Sequence, residues 1–119
     1  MTTIRDVVIV GAARTAVGTF GGSLKDFPAY DLATIAVKAA IERSGIEAAS
    51  AQQIVLGNVV QCEPRDLYVS RVAGMNAGMV KESAALTLNR LCGSGLQAIV
   101  SAANAIQLGD RSEEHTSEL

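Results

Sequence analysis

Residues 84–109 read AALTLNRLCGSGLQAIVSAANAIQLG, and they give the clearest indication of the architecture. Its first five residues form a short apolar run, which predicts a β-strand over 84–88. From Leu91 to Gly109 there is no charged residue. A broad apolar face is formed by Leu96, Ile99, Val100, Ala103 and Ile106. A helix without charges on any side is expected to be buried on most sides. The stretch therefore predicts a strand followed by a buried helix.

Upstream of this stretch, strands and helices are predicted to alternate. The aliphatic run 7–10 ends at a glycine and is typical of a buried strand in a parallel sheet. A second short strand is predicted over 54–56. Helices are predicted over 28–44, which begins at a proline and is followed by a glycine, and over 67–78. This alternation predicts an α/β domain with a largely parallel sheet.

Length and composition indicate one small globular domain. The chain has 119 residues, which allows one domain at most. Only 3% of the residues are aromatic, so a core must be built from small aliphatic side chains. The net charge is -2 and there is no basic patch, which argues against a nucleic-acid partner. No apolar run is long enough to span a membrane, and no signal peptide is evident at the N-terminus. We therefore expect a cytoplasmic protein.

The two cysteines, Cys62 and Cys92, are the candidate reactive side chains. Without a secretion signal, reduced thiols are favoured over a disulfide. No pair of cysteine or histidine residues has a spacing typical of metal ligands, so no metal site is predicted. Cys62 lies in a polar loop before Pro64, and we interpret it as an incidental thiol.

Two glycine-rich loops could be interpreted as phosphate-binding loops. The loop at 11–14 follows a predicted strand, but Ala13 stands where the dinucleotide fingerprint requires glycine. The loop at 18–25 lacks the Gly-Lys-Ser/Thr ending of a P-loop. A nucleotide-binding α/β module thus stays an alternative that the residues support only weakly. Glycines needed for turn conformations are the favoured explanation of both loops.

Cys92 lies between the last predicted strand and the uncharged helix. A thiol at a helix N-terminus faces unpaired backbone N–H groups and the positive end of the helix dipole, which favour the thiolate. A thiolate is a nucleophile that can carry an acyl group through a covalent thioester. Gly93 and Gly95 leave room for a substrate beside the sulfur. From position alone, a small buried hydrophobic role for Cys92 remains the alternative.

The ten residues NRLCGSGLQA at 89–98 resemble the acyl-enzyme motif of the thiolase family, which centres on a nucleophilic cysteine. Further matches occur in the expected order at 11–18, 56–59 and 71–73. The stretches 18–26 and 63–66 resemble a bacterial biosynthetic β-ketothiolase, that is, an acetyl-CoA acetyltransferase. The resemblance covers residues 4–110.

This resemblance implies a fold and a reaction. The fold is the N-terminal part of a thiolase-like αβαβα layered sandwich, which is incomplete here. The reaction is the reversible Claisen condensation of two acetyl-CoA to acetoacetyl-CoA and CoA, or the cleavage of a longer 3-oxoacyl-CoA. Cys92 is expected to carry the acyl group. Coenzyme A thioesters are then substrates, no separate cofactor is expected, and the full-length form is expected to be a homo-oligomer. A ketoacyl synthase, which also uses an acylated cysteine, is the related alternative.

Other catalytic motifs of the family are missing from the sequence. The family has a histidine in a Gly-His-Pro motif, a second cysteine that acts as acid and base, and an Asn-Glu motif for the oxyanion hole. The only histidine here, His115, stands in no such motif, and Cys62 lies in the wrong place. The segments that bind coenzyme A are also expected downstream, so no binding residue is assigned. We therefore expect an N-terminal fragment that is inactive alone.

The polar tail at 111–119 departs from the pattern of the preceding residues. It contains one aliphatic residue, Leu119, and cannot form a buried strand. Its sequence resembles the translation of a sequencing-adapter oligonucleotide. Our hypothesis is a partial domain over 1–110 followed by an artefactual tail, with a natural polar terminus as the alternative.

Overall fold

The computed structural model describes residues 4–109. The tail at 111–119, including His115, lies outside the described residues, so the hypothesis about it stays untested. The regular elements are α1 (Ala29–Ser44), β1 (Gln53–Gly57), α2 (Val69–Asn76), β2 (Ala84–Leu88) and α3 (Ser94–Gln107). Short 3-10 turns lie at Ala48–Ser50 and Pro64–Tyr68. The three helices and the last two strands that the sequence predicts are confirmed.

Strands β1 and β2 pair in parallel, with a register that runs from Gln53 opposite Ala84 to Gly57 opposite Leu88. Helix α2 connects them and packs against both strands, while α1 packs on α2 and α3 packs on β1. The predicted parallel α/β arrangement is confirmed. Because the strands are parallel, their carboxyl ends lie at one edge of the sheet, and the loops that follow them begin side by side.

The core is small and built from short side chains. Its buried members are Ile54 of β1, Ala73 of α2 and Met79. Gly74 lets α2 approach closely, since a Cβ there would lie 3.2 Å from both Ile54 Cγ2 and the Met79 sulfur. The hydroxyl groups of Ser70 and Thr87 bond to each other and tie α2 to β2. Few large side chains are needed where the elements approach this closely.

The strand predicted over 7–10 is wrong. These residues adopt no regular structure, and Val8, Ile9 and Val10 are exposed. The chain lies beside the end of α1 instead, where the guanidinium of Arg43 donates to the carbonyl oxygen of Ala12 (2.9 Å). A strand requires a hydrogen-bonded neighbour, and the sheet of the described residues consists only of β1 and β2. The aliphatic run has strand propensity but no partner.

The predicted burial of α3 is also wrong for this chain. Only Ser94 and Ala98 of this helix are buried, whereas Leu96 is 70% exposed and Ile99 is 55% exposed. Strand β1 packs against α3. The helix forms as predicted, but the large apolar side chains of its first half face solvent, while Ala103 and Ile106 are partly buried. No helix in the described part of the chain is long and apolar enough to cross a membrane.

Candidate active site

The loops that follow β1 and β2 are bonded to each other at the carboxyl edge of the sheet. The backbone N–H of Asn58, just after β1, donates to the carbonyl oxygen of Leu88 at the end of β2 (3.0 Å). The side-chain amide of Asn89 donates to the carbonyl oxygen of Val59 (3.4 Å). The second loop carries Cys92. Its position is therefore defined partly by the loop that follows β1.

Cys92 lies in a tight turn just before α3. Its thiol is exposed. The preceding residue, Leu91, has φ 49° and is the one non-glycine residue with positive φ in the described chain. Its N–H donates to the side-chain oxygen of Asn89 (2.9 Å), which holds the turn. A left-handed leucine is unfavourable by about 1–2 kcal/mol. Such strain at an exposed thiol is typical of a functional turn.

Ser94 secures the same turn from the helix side. Its side chain is 5% exposed. Its hydroxyl accepts a hydrogen bond from the N–H of Arg90 (2.8 Å) and donates to the carbonyl oxygen of Leu91 (2.7 Å). Gly57 of β1 lies against it, because a Cβ at Gly57 would be only 2.7 Å from Ser94 Cβ. The absence of a side chain at residue 57 therefore lets α3 begin directly against the strand.

The space beside the first turn of α3 is open. A Cβ added at Gly95 would meet no atom within 4 Å. At Gly93, which precedes the helix, the nearest atom would be the carbonyl oxygen of Arg90, at 3.6 Å. Neither glycine position is therefore crowded, and room for a substrate beside the sulfur stays a prediction.

The other cysteine lies in the loop after β1. Cys62 is exposed, and both cysteines are free thiols, as the sequence predicts. The backbone N–H of Cys62 donates to a carboxylate oxygen of Asp66 (2.7 Å), so this position is fixed through its main chain. Among residues 4–109, no group of three His, Cys, Asp or Glu side chains could hold a metal ion.

Asp66 is a structural residue of this edge that the sequence analysis did not identify. It is 1% exposed and forms a capping box with Glu63 at the turn Pro64–Tyr68. The Glu63 side chain accepts from the N–H of Arg65 (3.1 Å) and also pairs with its guanidinium (2.9 Å). Two acidic residues three positions apart around a proline are a capping signal that could have revealed this turn.

A cation–π contact links the turn Pro64–Tyr68 to α1. The guanidinium carbon of Arg65 lies 4.4 Å from the ring centre of Tyr30, which is in the first turn of α1. On the nucleophile side, the guanidinium of Arg90 donates to the side-chain oxygen of Gln97 in α3. Each of the two loops is thus connected to a helix as well as to the other loop.

Comparisons with known proteins identify what this arrangement resembles. A family model described as the N-terminal domain of thiolase matches residues 7–113. The β-ketothiolase BktB of Cupriavidus necator is 54% identical over 106 residues, which are 89% of this chain and 27% of that protein. The chain thus spans about a quarter of the length of the curated relatives that it matches.

Solved structures give the same result. The acetyl-CoA acetyltransferase of Bacillus anthracis matches with a TM-score of 0.86 and 37% identity, over 92% of this chain and 27% of that one. Human mitochondrial 3-ketoacyl-CoA thiolase in complex with CoA matches with a TM-score of 0.83 and 42% identity, over 85% of this chain and 26% of that one.

Proposed function

The chain belongs to the thiolase family, and we propose that it supplies the nucleophilic segment of an acyltransferase that forms or cleaves 3-oxoacyl-CoA. Cys92 is the proposed nucleophile. The observation that carries this proposal is an exposed thiol, on a strained turn before a helix, followed by two glycines whose positions are not crowded. The names of the similar proteins, which include a β-ketothiolase and an acetyl-CoA acetyltransferase, support the reaction.

The first half of the reaction is acylation of Cys92. Its thiolate attacks the carbonyl carbon of an acyl-CoA, a new C–S bond forms, and the C–S bond to coenzyme A breaks. Coenzyme A leaves as a thiolate and takes up a proton. The result is an acyl-cysteine thioester, which divides a difficult transfer into two easier steps.

The second half forms the carbon–carbon bond. A base removes a proton from the α-carbon of a second acyl-CoA, and the resulting carbanion attacks the acyl carbon on Cys92. The Cys92 thiolate is released, so two acetyl-CoA give acetoacetyl-CoA and CoA. Both proton transfers need an acid–base group, each worth on the order of a hundred-fold in rate. Residues 4–109 contain no histidine. By the thiolase resemblance, such a group is expected from another part of the full-length gene product, meaning the polypeptide encoded by the complete gene.

The setting of this reaction is part of the same proposal. Coenzyme A thioesters serve as substrates, and no further cofactor takes part. The full-length gene product acts in the cytoplasm as a homo-oligomer. The complex of human 3-ketoacyl-CoA thiolase with CoA supports the substrate class.

A labelling experiment tests the nucleophile. The full-length gene product is incubated with radiolabelled acetyl-CoA or with acetylated acyl carrier protein, and the labelled peptide is identified by mass spectrometry. Acetyl-CoA is expected to label the peptide that contains Cys92, and Cys92→Ser is expected to abolish the label and the acetyl transfer. Cys62→Ser is the matched control, because this thiol is equally exposed and should be dispensable.

Three outcomes would contradict the proposal. Label on Cys62 would assign the acyl group to the wrong loop. Label only from acyl carrier protein would favour a ketoacyl synthase instead. Normal acetyl transfer by Cys92→Ser would exclude the covalent mechanism altogether.

A further inference from the structure

Asp66 is a buried carboxylate that the proposed reaction does not use. Its side chain is 1% exposed. One carboxylate oxygen, Oδ2, accepts hydrogen bonds from the N–H groups of Cys62 (2.7 Å) and Glu63 (3.2 Å). The other oxygen, Oδ1, is buried and has no hydrogen-bond partner among the described residues. A carboxylate buried in this way is unfavourable unless what it holds in place compensates.

What Asp66 holds is the whole loop between β1 and the turn Pro64–Tyr68. Its side chain fixes the main chain at Cys62 and Glu63, close to the end of this loop. Its own carbonyl oxygen accepts a hydrogen bond from the side-chain amide of Asn58 (3.1 Å), at the start of the loop. Both ends of the loop at 58–66 are therefore bonded to one residue.

The same loop is bonded to the turn that carries Cys92. The N–H of Asn58 donates to Leu88 at the end of β2, and the carbonyl oxygen of Val59 accepts from the amide of Asn89. Asn89 in turn accepts from the N–H of Leu91. Leu91 is the residue with positive φ that directly precedes Cys92. A series of hydrogen bonds thus runs from the main-chain carbonyl oxygen of Asp66 to the turn of the proposed nucleophile, and the Asp66 carboxylate fixes the other part of the same loop at Cys62 and Glu63.

We propose that Asp66 is a positioning residue for Cys92. Its carboxylate holds the loop at 58–66 so that Asn58 and Val59 brace the turn at 89–93, which keeps the thiol in one orientation. This inference rests on the proposed role of Cys92 as nucleophile. It assigns Asp66 a role through another residue, since nothing places its carboxylate next to the sulfur.

Backbone hydrogen–deuterium exchange in the full-length gene product tests the bracing directly. Asp66→Ala removes the acceptor of two loop N–H groups, so exchange within 58–66 and within 89–93 is expected to rise about ten-fold. Asp66→Asn retains an acceptor oxygen of the same shape and should restore slow exchange in both segments. Ser70→Ala is the matched control, because Ser70 is equally buried and contacts Thr87 of β2 but not the loop. It should leave 89–93 unchanged.

Steady-state kinetics then test the consequence for catalysis. Asp66→Ala is expected to lower kcat about ten-fold or more with a nearly constant KM, because a small displacement of a reacting group has a large effect on rate. Asp66→Asn should recover most of kcat. Ser70→Ala should lower thermal stability without changing kcat.

Each outcome decides the inference. Faster exchange confined to 58–66 in Asp66→Ala, or faster exchange everywhere, would overturn it. A failure of Asp66→Asn to restore slow exchange would also overturn it, because an acceptor oxygen at residue 66 would then not be what holds the loop. If Asp66→Ala does not fold, Asn58→Ala carries the test, because it removes the bond from the start of the loop to Asp66: exchange in 89–93 should rise relative to Ser70→Ala, and unchanged exchange there would overturn the inference. Exchange does not depend on catalysis, so an inactive wild-type protein with the expected pattern would refute only the proposed function.

Discussion

The carboxyl edge of the sheet and the outer face of α3 differ in where their structural partners come from. At the edge, the turn of Cys92 is held by hydrogen bonds from residues within 57–97. Asn89 and Ser94 both form hydrogen bonds to the strained backbone of Leu91. On the outer face, Leu96 and Ile99 point into solvent. The two regions adjoin in sequence. The hydrogen-bond partners of the turn lie within the described residues, whereas the described residues leave the outer face of α3 uncovered.

The two regions differ because hydrogen bonds in a turn form between near neighbours, whereas burial of a helix face needs other elements. Polar groups in a tight turn must be satisfied by near neighbours, so a short segment can determine the geometry by itself. Burial of an apolar helix face depends on area supplied by other elements, at roughly 25 cal/mol per Å². Residues 4–109 supply one small sheet, and the apolar faces that they leave open are broad. Hydrogen bonds thus hold the turn of the candidate nucleophile in place, although the apolar surface around it is not fully buried.

The contact between β1 and α3 gives the largest expected effect. In Gly57→Ala the new Cβ would approach Ser94 Cβ to 2.7 Å, so α3 must shift away from the strand. We expect a loss of about 2–3 kcal/mol in the free energy of unfolding, measured by urea denaturation of the 119-residue chain. Gly95→Ala is the control, because open space surrounds that residue and alanine favours a helix. Equal stability of the two variants would show that the edge is not tightly packed.

The hydroxyl of Ser94 gives an intermediate effect. Ser94→Ala leaves the N–H of Arg90 without its acceptor and removes the donor to Leu91, so a loss of about 1–2 kcal/mol is expected. Urea denaturation of the 119-residue chain measures it. Ser101→Ala, in the same helix, removes only a bond from the Gln97 side chain and should cost less than about 0.5 kcal/mol. A Ser94→Ala variant as stable as Ser101→Ala would show that the hydroxyl of Ser94 does not stabilise the turn.

The outer face of α3 gives the smallest effect. Leu96→Lys places a charge where the side chain is already exposed, so the free energy of unfolding of the 119-residue chain should change by less than about 0.5 kcal/mol. Ala98→Lys, two residues along the helix, places the same charge against β1 and should destabilise the chain clearly more than Leu96→Lys does, because Ala98 is buried. A large loss in Leu96→Lys would mean that this face is covered, for example by a second copy of the chain.

The sequence predicts well what depends on local pattern. The helix expected over 28–44 agrees with α1, and the strands expected over 54–56 and 84–88 agree with β1 and β2. Glycine and proline mark these boundaries through backbone preferences that act on single residues. The cysteine motif likewise indicates the thiolase family without any structure, and the comparisons confirm the family.

What the sequence could not predict depends on distant partners. The run at 7–10 has the composition of a strand, but no periodicity reveals that a neighbouring strand is lacking among the described residues. The exposed face of α3 has the same cause. The role of Gly57 follows from its contact with Ser94, which no local pattern reports. For Asp66, the local capping pattern indicates the turn but not the contacts with the loop at Cys62 and Glu63.

The positive φ of Leu91 has a consequence for how this site can vary during evolution. The side chain is 68% exposed, so neighbours among residues 4–109 restrict neither its size nor its polarity. The left-handed backbone restricts only the shape at the β-carbon, which excludes branched residues most strongly. Selection at position 91 should therefore admit glycine or asparagine, which differ chemically from leucine, and reject isoleucine, its isomer. Beside the proposed nucleophile, backbone conformation rather than hydrophobicity would then set which substitutions survive.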